Sequence, residues 1–259
     1  MPSSASPSTT RTVYLPLRSV KVSTIKALYK LHEQAFEHTS LDQFTQELKR
    51  QTGVLTLQRQ ADERIVGFST QTLCALNVAG ETYRGLFTGP LVLDQEYRSE
   101  RELRRAVFRR LFLERLKRPA APFYWFFTAT RAQDYLPMIH CFPHHFPSST
   151  HAEALHRELV QAYCTQLFPH AFDRQRMLID LAEGHARLKS TDTGDLPLSA
   201  AQRKQLEAFE RFNPSWRQGT ELPCLAECDW ASLWRGMQGR VLDPSQRGRS
   251  GAVKRGQPS

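Results

Sequence analysis

Apolar positions recur along this chain at two spacings, and the spacing changes several times. From Ser23, a good N-cap, Ile25, Leu28, Leu31, Ala35 and Phe36 fall on one face of a helix. Ser40 starts a second helix, SLDQFTQELKRQ, with Gln43 in the capping-box position and Gly53 at its end. Strand spacing takes over around these helices. Val13 to Leu17 reads as a short strand, and Leu55 to Arg59 and Ile65 to Leu76 read as two more, joined by the polar turn Ala61-Asp62-Glu63. A turn at Asn77 to Gly80 leads into a long strand from Glu81 to Leu93. Gly89-Pro90 interrupts that strand, because proline brings no N–H and glycine no side chain, so a bulge or splay is expected there.

A basic helix follows and Pro119 stops it. Leu103, Val107 and Leu111, with Phe108, Phe112 and Leu116, make a broad apolar arc for packing on a sheet, which leaves Arg109, Arg110 and Lys117 to water. Phe123 to Thr128, FYWFFT, lacks alternation, as a strand buried on both faces does. Thr130 to Ile139 reads as a short helix and HCFPHHFPSS as a loop. Beyond them come a helix from His151, a polar loop or hairpin over Gly184 to Leu198, a helix from Ser199 to Phe212, and a short strand at Leu222 to Glu227. The last precedes the Trp-rich stretch DWASLWRGM.

Composition narrows the class. The 259 residues are 40% hydrophobic, enough for a real core. The first eleven are rich in Ser, Pro and Thr and are expected to be disordered. The five cysteines contain no CxxC, which argues against a disulfide framework and for a reducing, cytoplasmic setting. The strongest apolar run, Phe123 to Phe127, is far too short to span a bilayer, so no membrane partner is expected. The expected organisation is a tail over 1–11, a domain over 12–150, a mostly helical C-terminal extension packed on it over 151–238, and a basic disordered tail over 239–259.

The formal charge of +9 is unevenly placed. Residues 98–118 hold nine basic and three acidic residues, and 239–259 hold five basic and one acidic, which points to a polyanionic partner. Arg101, Arg104 and Arg105 crowd the start of the basic helix, where the helix dipole disfavours cations; an anion bound there would explain them. An apolar strand, a charged turn and a helix N-terminus also form the layout that offers N–H groups to a phosphate. The turn SERELR has none of the glycines that usually let a backbone approach one.

The order strand, helix, helix, three strands, helix, strand, helix resembles the GCN5-related N-acetyltransferase (GNAT) fold over about residues 12–150, most strongly at LVLDQEYRSERELRRAVFRRLF. The resemblance implies an α/β fold with a mixed central sheet flanked by helices. It also implies an N-acyltransferase in which an amine attacks a thioester or ester carbonyl directly, without a covalent intermediate. Leu91, Val92 and Leu93 would border the donor's pantetheine arm, and Arg98, Ser99, Arg101, Leu103 and Arg104 stand where the family's pyrophosphate loop lies. Tyr135, seven residues after Thr128, matches the position of a tyrosine that protonates the leaving thiolate, and Glu81 is the favoured general base. The implied donor is acyl-CoA, a substrate and not a resident cofactor; the acceptor is an amine of a specialised small molecule or peptide.

The missing glycines leave two alternatives open. Aminoacyl-tRNA or an acyl carrier protein would need less pyrophosphate cradle and more basic surface, and a non-catalytic binding protein would need no donor. His140-Cys141 with His144-His145 lacks a second ligand pair at metal-site spacing, so no metal is expected.

Overall fold

The structure of the protein is a computed structural model that describes residues 9–97, 100–148, 154–181, 187–189 and 200–238. The elements are β1 (Thr10–Pro16), α1 (Val22–Ala35), β2 (Phe36–Glu37), α2 (Leu41–Lys49), β3 (Gly53–Arg59), β4 (Ile65–Val78), β5 (Glu81–Thr88) and β6 (Val92–Leu93). There follow α3 (Arg101–Leu116), β7 (Phe123–Ala129), α4 (Ala132–Cys141), β8 (His145–Phe146), α5 (Ala154–Leu167), β9 (Phe172–Asp173), β10 (Leu178–Ile179), β11 (Arg187–Leu188), α6 (Ala200–Phe212), β12 (Leu222–Glu227) and α7 (Trp230–Met237).

The local signals behind these elements are visible in the structure. The Ser40 hydroxyl accepts the Gln43 N–H at 3.1 Å and caps α2. α1 begins one residue before Ser23, with Lys21 as its N-cap and no side-chain capping bond. Between β4 and β5 the chain reverses over Ala79 and Gly80, both at positive φ (50° and 84°), the geometry that matches the twist of a tight hairpin.

The central sheet runs in the order β1-β3-β4-β5-β7-β12-β8, with β6 paired to β4. Every pairing in it is antiparallel except β5 with β7. Helices cover both faces, giving the expected mixed α/β arrangement of a central sheet flanked by helices. The apolar run FYWFFT is β7, held between β5 and β12 with all of Phe123 to Phe127 buried. β12 comes from well beyond residue 150, so the sheet draws on both sides of that boundary.

α3 lies on the sheet through Leu103, Val107, Phe108 and Leu111, all buried. At about 1.5–3 kcal/mol for each such side chain, this contact alone is worth roughly 6–12 kcal/mol as an upper bound. The edges of its apolar arc differ from expectation. Leu116 is exposed, whereas Arg110 leaves the water and stacks 3.9 Å over the Tyr14 ring of β1. Glu114 is fully buried and pairs at 2.7 Å with both Arg110 and Lys117. The polar face turns inward because β1 brings an aromatic ring beneath it. β11 pairs with β2, and the Lys189 ammonium donates to the Glu33 carbonyl at 2.9 Å.

Candidate functional site

The break at Gly89-Pro90 opens the sheet. Thr88 stands opposite Gln71, but Val92 stands opposite Phe68, so the β5–β6 side carries one extra residue, a bulge. β7 keeps its parallel partner only as far as Thr88 opposite Phe127; beyond that point β6 follows β4 and leaves β7. Antiparallel pairs alternate between those that exchange hydrogen bonds and those that do not. The Asp94 N–H donates to the Val66 carbonyl at 2.9 Å, which puts the peptide groups of Leu91 and Leu93 on the side away from β4. They face the gap left by β7.

A cavity of about 70 Å³ occupies that gap. Thr88, Gly89, Pro90 and Leu91 line one wall and Phe127, Thr128 and Thr130 the other. Val107 and Phe108 of α3 and Phe36 of β2 add apolar surface, and Arg104, Arg131 and Asp134 supply charge. The Trp125 indole N–H donates to the Thr88 hydroxyl at 2.9 Å, tying the two strands together where they begin to part. The Ser69 hydroxyl donates to the Gly89 carbonyl at 2.8 Å and fixes the bulge.

The charges at this site are internally matched. Arg104 Nε donates to the Glu100 carboxylate at 3.0 Å, and Arg105 pairs with Glu102 at 3.6 Å. Arg131 pairs with Asp134 at 3.2 Å and lies 4.0 Å from Glu100. Burial works against the Arg131 charge, but Asp134 and Glu100 more than offset it and raise its pKa. Glu100 is the N-cap residue of α3, where the dipole favours an anion. The chain thus supplies from its own sequence an anion for the arginines that crowd this helix start.

Of the residues expected at the site, Leu91 and Arg104 line the cavity. Val92 and Leu93 pair with β4 beside it. Leu103 is buried in the core under α3, and Arg101 is exposed on the first turn. Arg98 and Ser99 lie outside the described residues. Two residues stand elsewhere. Glu81 is exposed at the far end of β5, about 23 Å from Thr88 at the usual strand rise, too far to serve chemistry in the gap. Tyr135 is buried against Phe209 and Phe212; its hydroxyl donates to the Pro147 carbonyl at 3.0 Å, and burial raises its pKa.

Glu221 was not singled out from the sequence. It precedes β12, and its backbone N–H and carbonyl both bond to Ile179, at 2.8 and 2.9 Å. A polar cluster braces the preceding loop: the Thr220 hydroxyl donates to the Asn213 side chain at 2.6 Å, and Asn213 returns a bond to the Thr220 carbonyl at 2.8 Å. Glu221 as a whole is part-exposed, but its carboxyl is buried. Burial raises its pKa; the Thr128 hydroxyl works the other way, and Asp134 adds to the rise. Both neighbours line the cavity. The only sequence signal was an acid directly before an apolar strand.

Two further features bear on the chemistry. All five cysteines are buried and free, and burial pushes Cys74 and Cys141 up to about 11, so neither is a thiolate nucleophile near neutral pH. His32 of α1 stacks on Phe36, a cavity residue, with centroids 4.4 Å apart, and lies 4.9 Å from Phe44. Burial lowers its pKa to about 4, so the ring is neutral at physiological pH.

No protein-family model and no curated protein matches the chain. Solved structures do. A protein of Enterococcus faecalis V583 described as a probable N-acyltransferase of unknown function aligns over 49% of this chain and 31% of its own, at 16% identity and TM-score 0.38. Saccharomyces cerevisiae N-myristoyltransferase with bound myristoyl-CoA aligns over 50% of this chain and 32% of its own, at 14% identity and TM-score 0.35. An Escherichia coli GNAT-family N-acetyltransferase in complex with CoA aligns over 49% and 67%, at 16% identity and TM-score 0.34. The chain spans about a third of the length of the first two. The likeness is partial and assigns no substrate.

Proposed function

We propose that this protein is an N-acyltransferase, moving an acyl group from a thioester or ester donor to an amine. The observation that carries the reading is the opened sheet: a bulge parts β6 from β7 and turns the peptide group of Leu91 toward a cavity. An extended pantetheine arm is a chain of amides, and unpaired strand groups are its natural partners. A backbone N–H aimed at the acyl carbonyl would stabilise the developing oxyanion. The amine nitrogen attacks that carbon, and the bond to the leaving sulfur or oxygen breaks as the amide forms. Glu221 accepts the proton lost by the attacking nitrogen, through water. The leaving group takes a proton from solvent, because the Tyr135 hydroxyl is already committed to Pro147. With no cysteine available as a nucleophile, direct transfer is the route the residues support.

The donor's carrier is a separate question, and Glu100 bears on it. This carboxylate and Glu102 occupy the start of α3, where a CoA diphosphate would otherwise sit on the dipole. That favours a donor bound mainly through its acyl-pantetheine part, as on a carrier protein, or an ester on tRNA. Calorimetry with acetyl-CoA and acetyl-pantetheine separates these cases: similar affinities support a site that ignores the diphosphate, and tighter binding of acetyl-CoA by tenfold or more supports ordinary acyl-CoA use. Thr130→Trp, which fills the cavity mouth from a half-exposed position, should lower donor affinity at least tenfold with an unchanged melting temperature. Undiminished binding by that variant would remove the cavity from the reading. Glu221→Gln should lower kcat more than KM and move the acid limb of the pH–rate profile, with partial rescue by Glu221→Asp.

A further inference from the structure

α7 packs along α3, with Gly236 against Phe108 and Trp230 against Phe112, and leaves apolar surface bare. The Trp230 ring meets Phe112 edge-on with centroids 5.6 Å apart, and the Arg115 guanidinium lies 5.2 Å from the Trp230 centroid. Trp230 is still 38% exposed, Trp234 57% and Leu116 47%. Trp230 and Trp234 are four residues apart on one helix face, as are Phe112 and Leu116 on the other. Together they form an apolar ridge along the outer sides of two packed helices.

The charge around this ridge is mostly positive, Asp229 beside Trp230 being an acid already engaged as the cap of α7. From Arg109 to Arg118 there are four basic residues besides Arg110, which is turned inward on Tyr14 and paired with the buried Glu114. Arg235 follows Trp234 and donates to the Cys141 carbonyl at 3.0 Å, and in the sequence residues 239–259 carry a net +4. A second copy of this ridge or the chain's own basic end would bring like charge to it. Tryptophan favours the headgroup level of a bilayer, where a flat ring and a polar N–H are both satisfied, and basic side chains beside it meet lipid phosphates.

We propose that the α3–α7 ridge is a docking surface for an anionic lipid bilayer, with Trp230 and Trp234 at headgroup level and the surrounding arginines on the phosphates. The association is peripheral: no helix among the described residues is long and apolar enough to cross a membrane. It is independent of the acyl-transfer reading, since the ridge shares no residue with the cavity.

The full chain is mixed with vesicles of phosphatidylcholine, alone or with about 30% phosphatidylserine, and co-sedimentation and tryptophan emission are recorded. Expected results are binding to the anionic vesicles only, a blue shift in emission, and release by added salt. Trp234→Ala and Arg109→Glu, both at exposed positions, should together weaken vesicle binding at least tenfold with an unchanged melting temperature. Equal binding to neutral vesicles, or full binding by the double variant, overturns the proposal. So does failure to bind anionic vesicles when polyglutamate is bound in a Trp234-dependent way, which assigns the ridge to an acidic protein. A dimer that Trp234→Ala dissociates, without vesicle binding, assigns it to a second copy and equally overturns it.

Discussion

Replacing His32 by phenylalanine should make this protein more resistant to acid, and the size of the gain follows from the ring's surroundings. His32 lies between Phe36 and Phe44, and burial lowers its pKa from 6.5 to about 4. Above both values the ring is neutral in the folded and unfolded chains and contributes nothing. As pH falls through 6.5 the unfolded chain binds a proton that the folded one refuses, so stability drops until about pH 4, where both are charged. A difference of about 2.5 pK units sets a ceiling of about 3.4 kcal/mol for the whole loss, of which about 2 kcal/mol falls between pH 7.5 and pH 5. The ring is only partly shielded, so about 1–2 kcal/mol is the realistic share over that interval. Urea titrations of wild type and His32→Phe at both pH values give a double difference in which the other titrating groups cancel. His32→Phe should lose less stability than wild type by that amount. Parallel losses, within about 0.5 kcal/mol, would show that the ring already takes up its proton in the folded state, and the reasoning would be wrong.

Two other substitutions test the packing that holds the site. A Cβ on Gly236 would sit 2.2 Å from the Phe108 ring, so Gly236→Ala should cost about 1–3 kcal/mol in urea unfolding despite a better helix former, and a neutral result would mean α7 sits loosely on α3. Glu114→Gln leaves Arg110 beneath α3 without its carboxylate and should cost about 3 kcal/mol in urea unfolding, whereas the paired change Glu114→Leu with Arg110→Met should recover much of that; a single-variant cost below about 1 kcal/mol would contradict the buried pairing.

The legible parts of the fold were those with a local cause. Ser40 announces its helix because the cap is made three residues away. Gly89-Pro90 announces the opened sheet because proline cannot donate to a ladder, and FYWFFT announces a central strand because it has no polar side to show water. Pairings across large sequence separations left no such trace. Nothing near Leu222 says that its strand enters between β7 and β8, and nothing near Arg110 says that Tyr14, almost a hundred residues earlier, would take it out of water. The candidate site divides the same way. Leu91 was named from the strand end that resembles the family motif, but Glu221 becomes a candidate only once Ile179 and Thr128 are seen around it. The arginines at the start of α3 were read as calling for a bound anion; in the structure Arg104 pairs with Glu100, inside the same segment.

The insertion of β12 also sets an order of events during synthesis. β7 is finished at Ala129, but the strand that covers its second edge ends only at Glu227, almost a hundred residues later. At about 5–20 residues per second, the edge of an apolar, β-prone run waits several seconds for its partner. During that interval FYWFFTA is the most adhesive element of the nascent chain. Any truncation before residue 228 makes the interval permanent, so shortened forms should aggregate through this edge even if every residue of the cavity wall on β5 and β6 is retained.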